Sequence, residues 1–245
     1  MLRFDTLGAE GLMLVENPLI VLFGYMRLQL LCLLWSSKPD RVLVLGLGAG
    51  ILPRILHYLS ATTLIDVVEI DATVVDVARQ YFYFNKNSHT RVYNEDGRDF
   101  IARQLSNHYD TVLVDVFTVN GRIPHRLRTL ECLQEYLRIL KDDGVLAANF
   151  LRADESRYRQ TYERAAFKHL YRGAVEDNFV LIGLNKQARL WTRNELQVRA
   201  RVLQQNSALP AMDWVEESRN LQSSIDSQWD SSVRIFTDQV DEDTR

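Results

Sequence analysis

Cysteine is scarce: the chain has only Cys32 and Cys132 in 245 residues, so no disulfide framework is implied. Both fall in segments that read as helices, where buried thiols of a reducing compartment are expected. An excess of charge of either sign is also missing. Twenty-nine Lys and Arg stand against 32 Asp and Glu, a net charge of -3, which removes any global attraction to nucleic acid or to an acidic membrane. No GxSxG elbow, GxxxxGK phosphate loop, CxxC or HExxH occurs, and the five histidines (His57, His89, His108, His125 and His169) are scattered, so no metal is expected. An uninterrupted apolar span is lacking too. Pro18 to Trp35 has about the minimum length for one, but Gly24, Arg27 and Gln29 sit at its centre, where an arginine costs about 2.5–3.5 kcal/mol in hydrocarbon. It reads instead as a helix packed on a sheet. Asp5, Glu10 and Glu16 precede this run, unlike a secretory signal, and a cytoplasmic location is the expectation. There is no internal repeat and no low-complexity tract.

What is present is concentrated between Arg41 and Asp71. The β-branched and leucine run Val42 to Leu45 enters a loop with Gly46, Gly48 and Gly50. Ile51, Leu52, Ile55, Leu56 and Leu59 follow at helical spacing, and a second apolar run ends in Glu69 and Asp71. A strand, glycine turn, helix and strand in this order can form a nucleoside pocket. Glycines let backbone approach the ligand, and a carboxylate at the next strand tip can accept from both ribose hydroxyls. A dinucleotide fingerprint places its third glycine five positions after the first, whereas Ile51 stands there in this chain. The GxGxG form suits a ligand without phosphate, such as an S-adenosyl sulfonium compound. Asp71 is placed to cap the next helix, expected to run through Phe84, so Glu69 is the ribose candidate.

Alternation continues beyond this unit, with strands expected at Arg91 to Asn94, Tyr109 to Val116 and Val145 to Leu151. It predicts an α/β fold: a parallel, Rossmann-like sheet with helices on both faces, and ligands beyond the carboxyl ends of its strands, where Glu69, Asp96 and Asp115 lie. Residues 1–17 read as a small β-hairpin, Leu19 to Trp35 as a helix, Asp154 to Tyr171 as a further helix, and Asn178 to Asn185 as a strand at the end of the sheet. Thr129 is a helix cap, and Thr192 with Glu195 a capping box. Three parts are expected: 1–40, the hairpin and helix extension; 41–205, the nucleoside-binding transferase domain; and 206–245, a polar acidic extension with little core of its own.

The glycine loop, EID, EDG, YDTVLVDV and KDDGVLAANF, in that order, resemble the spermidine synthase family, polyamine aminopropyltransferases within the Rossmann-like S-adenosylmethionine-dependent transferases. The resemblance covers Val42 to Phe150. It implies that Gly46, Gly48 and Gly50 line the sulfonium ligand, either S-adenosylmethionine or its decarboxylated form, and that Glu69 holds the ribose. It further implies that Asp96 with Gly97 recognises adenine, and that Asp115 lies beside the sulfonium, facing the acceptor.

The chain also departs from that pattern. The family's strand continues as D-S/T-S-D, whose second aspartate prepares the acceptor amine, whereas here Asp115-Val116-Phe117-Thr118 places a threonine at that position. Ala49 stands where the loop usually carries an aspartate, and Tyr25 is followed by Met26, Arg27 and Leu28 in place of an acidic motif. Attack by an amine requires a neutral nitrogen and therefore a positioned base, which threonine does not supply near pH 7. Arg122, His125, Arg126 and Arg128 follow in the loop, and His125 is the reserve candidate for a base. These residues either form a basic lip that disfavours a dication or point to solvent. The reading is a transferase for a small-molecule acceptor, with methyl transfer or an unusual acceptor favoured over ordinary spermidine synthesis. The alternatives are a genuine aminopropyltransferase, a non-catalytic nucleoside-binding module or, against the glycine spacing, an NAD-dependent oxidoreductase. No nucleic acid or membrane partner is indicated, and a homodimer is left open.

Overall fold

A computed structural model describes residues 11–84, 87–118, 121–207, 209–223 and 232–239. Helix α1 (Gly24–Leu30) runs into a 3-10 turn at Leu31–Leu34, and β1 (Arg41–Leu45), α2 (Ile51–Leu59) and β2 (Leu64–Glu69) follow. Next come α3 (Ala72–Tyr81), β3 (Thr90–Asn94), α4 (Gly97–Ala102), β4 (Tyr109–Val114), α5 (His125–Arg128), α6 (Leu130–Ile139) and β5 (Leu140–Leu151). The remainder comprises α7 (Glu155–Arg164), β6 (His169–Val175), β7 (Asn178–Leu184), α8 (Arg193–Asn206), α9 (Trp214–Ser218) and the short β8 (Gln222–Ser223).

The eight strands form one sheet in the order β3-β2-β1-β4-β5-β7-β6-β8. β3 to β5 pair in parallel, and the β5–β7, β7–β6 and β6–β8 pairs are antiparallel. Successive β1 side chains face opposite cores: Val42 and Val44 pack with α2 on one face, Leu43 and Leu45 with α4 and α6 on the other. A strand covered on both faces must be apolar at every position, which is why the run lacks polar alternation. Among the described residues no helix is long and apolar enough to cross a membrane.

Several expectations are corrected. The sheet is mixed rather than parallel, and β7 lies inside it, between β5 and β6. The segment read as one helix from Asp154 to Tyr171 ends at Arg164, and its last residues open β6. β6 exists because β7 pairs along its whole length, from His169↔Leu184 to Val175↔Asn178. The N-terminal hairpin is not shown: residues 1–10 lie outside the described residues, and 11–17 contain only an isolated bridge at Gly11. The following helix starts at Gly24 rather than Leu19, because the Arg27 guanidinium takes the Val21 and Leu22 carbonyls at 3.0 and 3.1 Å. The helix after Asp71 stops at Tyr81, short of Phe84. Its cap is as expected, with Asp71 accepting from the Thr73 amide at 2.7 Å, and the Thr192–Glu195 capping box is formed. Beyond Pro210 the chain still contributes core: Trp214 and Phe236 are each 1% exposed.

Candidate active site

The parallel half of the sheet ends in one cleft, and three backbone hydrogen bonds fix its floor. Gly46 N donates to Val68 O at 2.9 Å, Asp115 N to Leu45 O at 2.9 Å, and Glu95 N to Glu69 O at 3.2 Å. Gly46 adopts φ +90°, and a Cβ there would lie 2.2 Å from the Asp115 carbonyl oxygen, so no side chain fits where the β1 and β4 tips meet. Gly48 lines the cavity. Gly50 does not: at φ +71° it starts α2, and a Cβ would lie 2.7 Å from the Phe84 ring. Its glycine is required by packing, and Gly50 is not among the residues that line the cavity.

Glu69 ends β2 with its carboxylate turned across the loop. Oε2 accepts from the Leu47 amide and Oε1 from the Asp71 amide, each at 3.0 Å. A carboxylate offers about four acceptor positions, so two hydroxyls can still be taken. Asn94 holds the strand tip by donating to the Glu69 and Ile70 carbonyls at 2.8 and 3.0 Å. Asp96 caps α4 through Oδ1, which accepts from Arg98 N at 2.7 Å and Asp99 N at 3.3 Å. Its Oδ2 pairs with Arg126 at 2.8 Å, and Arg126 also reaches Asp99 at 2.7 Å. The hydrogen bond to Asp99, with Asp96 adding, holds the Arg126 guanidinium above its ordinary value.

The cavity so enclosed measures about 330 Å³ and brings together Gly46, Gly48, Glu69, Asp96, Gly97 and Asp115. Its apolar walls include Val68, Ile70, Val74 and Leu127. Sequence reasoning missed those wall residues, together with Met26 and Phe117, because apolar side chains on helices and beside strand ends look like ordinary core. The size suits a small organic ligand, for which pockets of about 300–1,000 Å³ are usual.

His125 lines the same cavity but is 5% exposed, and its Nε2 donates to the Thr237 carbonyl at 2.9 Å. That proton is committed to the chain's own tail. The basic lip is smaller than expected: Arg122 pairs with Asp154 at 3.3 Å, and Arg128 is 1% exposed, stacks on Phe236 and donates to Ile123 O. Of the three arginines only Arg126 lines the cavity, already paired with carboxylates. Thr118 closes a turn, its N donating to Arg122 O at 2.8 Å and its O accepting from Gly121 N at 2.9 Å, and it is not a lining residue. Neither cysteine is a nucleophile candidate, since burial pushes Cys32 up to about 12 and Cys132 up to about 11.

A model of the spermine/spermidine synthase domain matches residues 26–179. The chain belongs to this family. Within reach of it lie two kinds of transferase. A polyamine aminopropyltransferase of Vibrio vulnificus is 34% identical over 224 residues, covering 89% of this chain and 74% of that protein. A mouse protein described as an eEF1A lysine and N-terminal methyltransferase is 30% identical over 217 residues, covering 83% of this chain and 29% of that protein. The chain thus spans less than a third of that methyltransferase. The crystal structure of human methyltransferase-like protein 13 in complex with SAH superposes with TM-score 0.64 at 28% identity, covering 75% of this chain and 88% of that one.

Proposed function

We propose that the chain is a transferase that binds S-adenosylmethionine or its decarboxylated form and that its acceptor is not a free diamine, with methyl transfer favoured. The observation that carries this is one cavity holding Gly46, Gly48, Glu69, Asp96 and Asp115 while Thr118, in place of the family's base, is not among the residues that line it. The residues fit the ligand: glycine backbone at the β1 tip, a carboxylate with open acceptor positions, and apolar walls. Glu69 would hold the ribose hydroxyls, and Gly46 with Gly48 would admit the ligand against the backbone. Asp96 and Gly97 would meet the adenine, with Oδ2 shared between Arg126 and the exocyclic amine, because Oδ1 is spent on the cap. When bound, the sulfonium supplies an alkyl carbon activated by a positively charged leaving group.

Asp115 stands at the reacting end and would hold the acceptor in contact, where orientation itself provides much of the rate. A diamine dication needs an acidic slot and a base. Here two of the carboxylates that line the cavity are already paired with cations, Asp96 with Arg126 and Glu95 with Arg103, which weakens the site's hold on a dication. The methyltransferase relatives support this reading. The second reading, aminopropyl transfer to an unusual acceptor, is favoured by the Vibrio relative, which covers more of its own length.

Calorimetry with S-adenosylmethionine, its decarboxylated form, methylthioadenosine and NAD tests the proposal. Binding of the sulfonium compounds and not NAD is expected, with Glu69→Ala much weaker. Conversion of putrescine to spermidine at enzyme-like rates would overturn the favoured reading. Absence of any nucleoside binding would leave the fold as a scaffold.

A further inference from the structure

Asn149 is an anomaly in its strand. From Val145 to Phe150, β5 is buried throughout and otherwise carries only Val, Leu, Ala and Phe, yet Asn149 is 0% exposed. A buried amide left without partners costs about 1–3 kcal/mol, so its place in a core strand calls for partners at both ends. It has them. Nδ2 donates to Asp115 Oδ1 at 3.0 Å, and Oδ1 accepts from Asn178 Nδ2 at 3.0 Å. The direction is imposed by chemistry: an ionised carboxylate only accepts, so the Asn149 NH2 must face Asp115 and its oxygen must face the Asn178 amide. Strand register makes the chain of bonds possible. β4 lies beside β5 with Val114 opposite Ala148, which brings Asp115 next to Asn149, and β7 lies on the other side with Asn178 opposite Leu151. Three strand ends are thereby tied into one polar line that finishes at the cavity.

We propose that Asn149 and Asn178 are positioning residues that fix the direction in which the Asp115 carboxylate faces the reacting end of the ligand. This rests on the assignment of Asp115 to that end. Neither amide lines the cavity, so both act through Asp115. One Asp115 oxygen is turned back towards β5 by the Asn149 NH2. Loss of that bond releases one Asp115 oxygen from the direction it holds here, so the charge is less well placed for a cationic ligand.

The test compares affinity for S-adenosylmethionine, a sulfonium cation, with affinity for SAH, its neutral thioether counterpart, by calorimetry on the full chain. Asp115→Asn should move the affinity ratio towards SAH. Asn149→Leu should move it the same way by about tenfold, the loss expected when a charge a few ångström away turns aside, with SAH affinity itself little changed. Asn178→Ala should give a smaller shift of the same sign. In the Asp115→Asn background, Asn149→Leu should add nothing, since coupled residues are not additive. A merely structural role would weaken both ligands together and add in the double variant, which would overturn the proposal, as would Asn variants that keep the wild-type ratio. If Asn149→Leu does not fold, Asn178→Ala, which leaves Asn149 and Asp115 bonded, decides by the same ratio. Wild-type protein that binds neither ligand would overturn the transferase reading, and this inference with it.

Discussion

The two ends of the cavity are held by different parts of the chain. At the nucleoside end, Glu69 reaches the Leu47 amide across 22 residues of sequence, within a single strand, helix and strand unit. At the end beyond Asp115, the His125 ring is held by Thr237, 112 residues away, and the adjacent Phe236 is buried. Phe236 lies between the Arg128 and Arg157 guanidiniums at 4.7 and 3.9 Å. Its N–H donates to Thr161 Oγ1 at 3.2 Å, and its carbonyl accepts from Leu130 N at 3.0 Å. Asp238 adds bonds to Thr129 and Arg98. A locally built end keeps its geometry in any chain that keeps the unit, whereas an end assembled from afar can change its chemistry without disturbing the other. That difference fits a family in which relatives named for aminopropyl transfer and for methyl transfer share one fold.

The contrast can be broken most strongly at Phe236. Phe236→Ala should cost about 3–5 kcal/mol of stability, read by denaturant unfolding. SAH affinity should fall only a few-fold once the protein is folded, because Glu69 and the glycine loop are held without the tail. A loss of SAH binding as large as that from Glu69→Ala would end the distinction. Gly46→Ala should fail at both ends together, since its Cβ would meet the Asp115 carbonyl at 2.2 Å with φ at +90°. Destabilisation of about 3 kcal/mol and no measurable SAH binding are expected, from unfolding curves and calorimetry. Glu69→Ala should weaken SAH about a hundredfold through two lost hydrogen bonds to a charged group, with little effect on α5. Arg126→Ala should change stability by less than about 1 kcal/mol, because the ion pairs are half-exposed. It should also strengthen adenosine binding slightly by freeing Asp96 Oδ2.

The smallest expected effect is one of pH. Burial lowers the pKa of His108, with Arg41 and Lys141 pushing further and Asp66 opposing, and burial with Lys168 lowers that of His169. The unfolded chain therefore takes up these protons first as pH falls. Stability should be flat above about pH 6.5 and decline below it. Thermal melts from pH 7.5 to 5.5 would show this, and His108→Gln should reduce the slope. Neither histidine lines the cavity, so SAH affinity should not follow the same curve.

The same contrast governs how much could be read in advance. β1, the glycine loop, Glu69 and the Asp71 cap were legible because each is determined by its neighbours: a strand buried on both faces, a turn at positive φ, a side chain two residues from the amide it accepts. β6 was not, because HLYRGAV has no strand signature apart from its partner β7, and the turn at Glu176-Asp177 was the only local hint. Arg128 looked like part of a charged lip because nothing near it in sequence announces Phe236. Gly50 looked like a ligand-facing glycine, although Phe84 is what excludes its side chain. Asn149 carried a usable signal, a single amide in an apolar strand, but its meaning needed the register of three strands.

The placement of Phe236, Thr237 and Asp238 also sets an order of completion during synthesis. Chains emerge from the amino end, and the glycine loop, Glu69 and Asp96 can pair as soon as β4 is available. The wall that carries His125 must wait for residues made long afterwards. A nascent chain therefore passes through a stage in which its nucleoside end is formed while the opposite wall has nothing behind it.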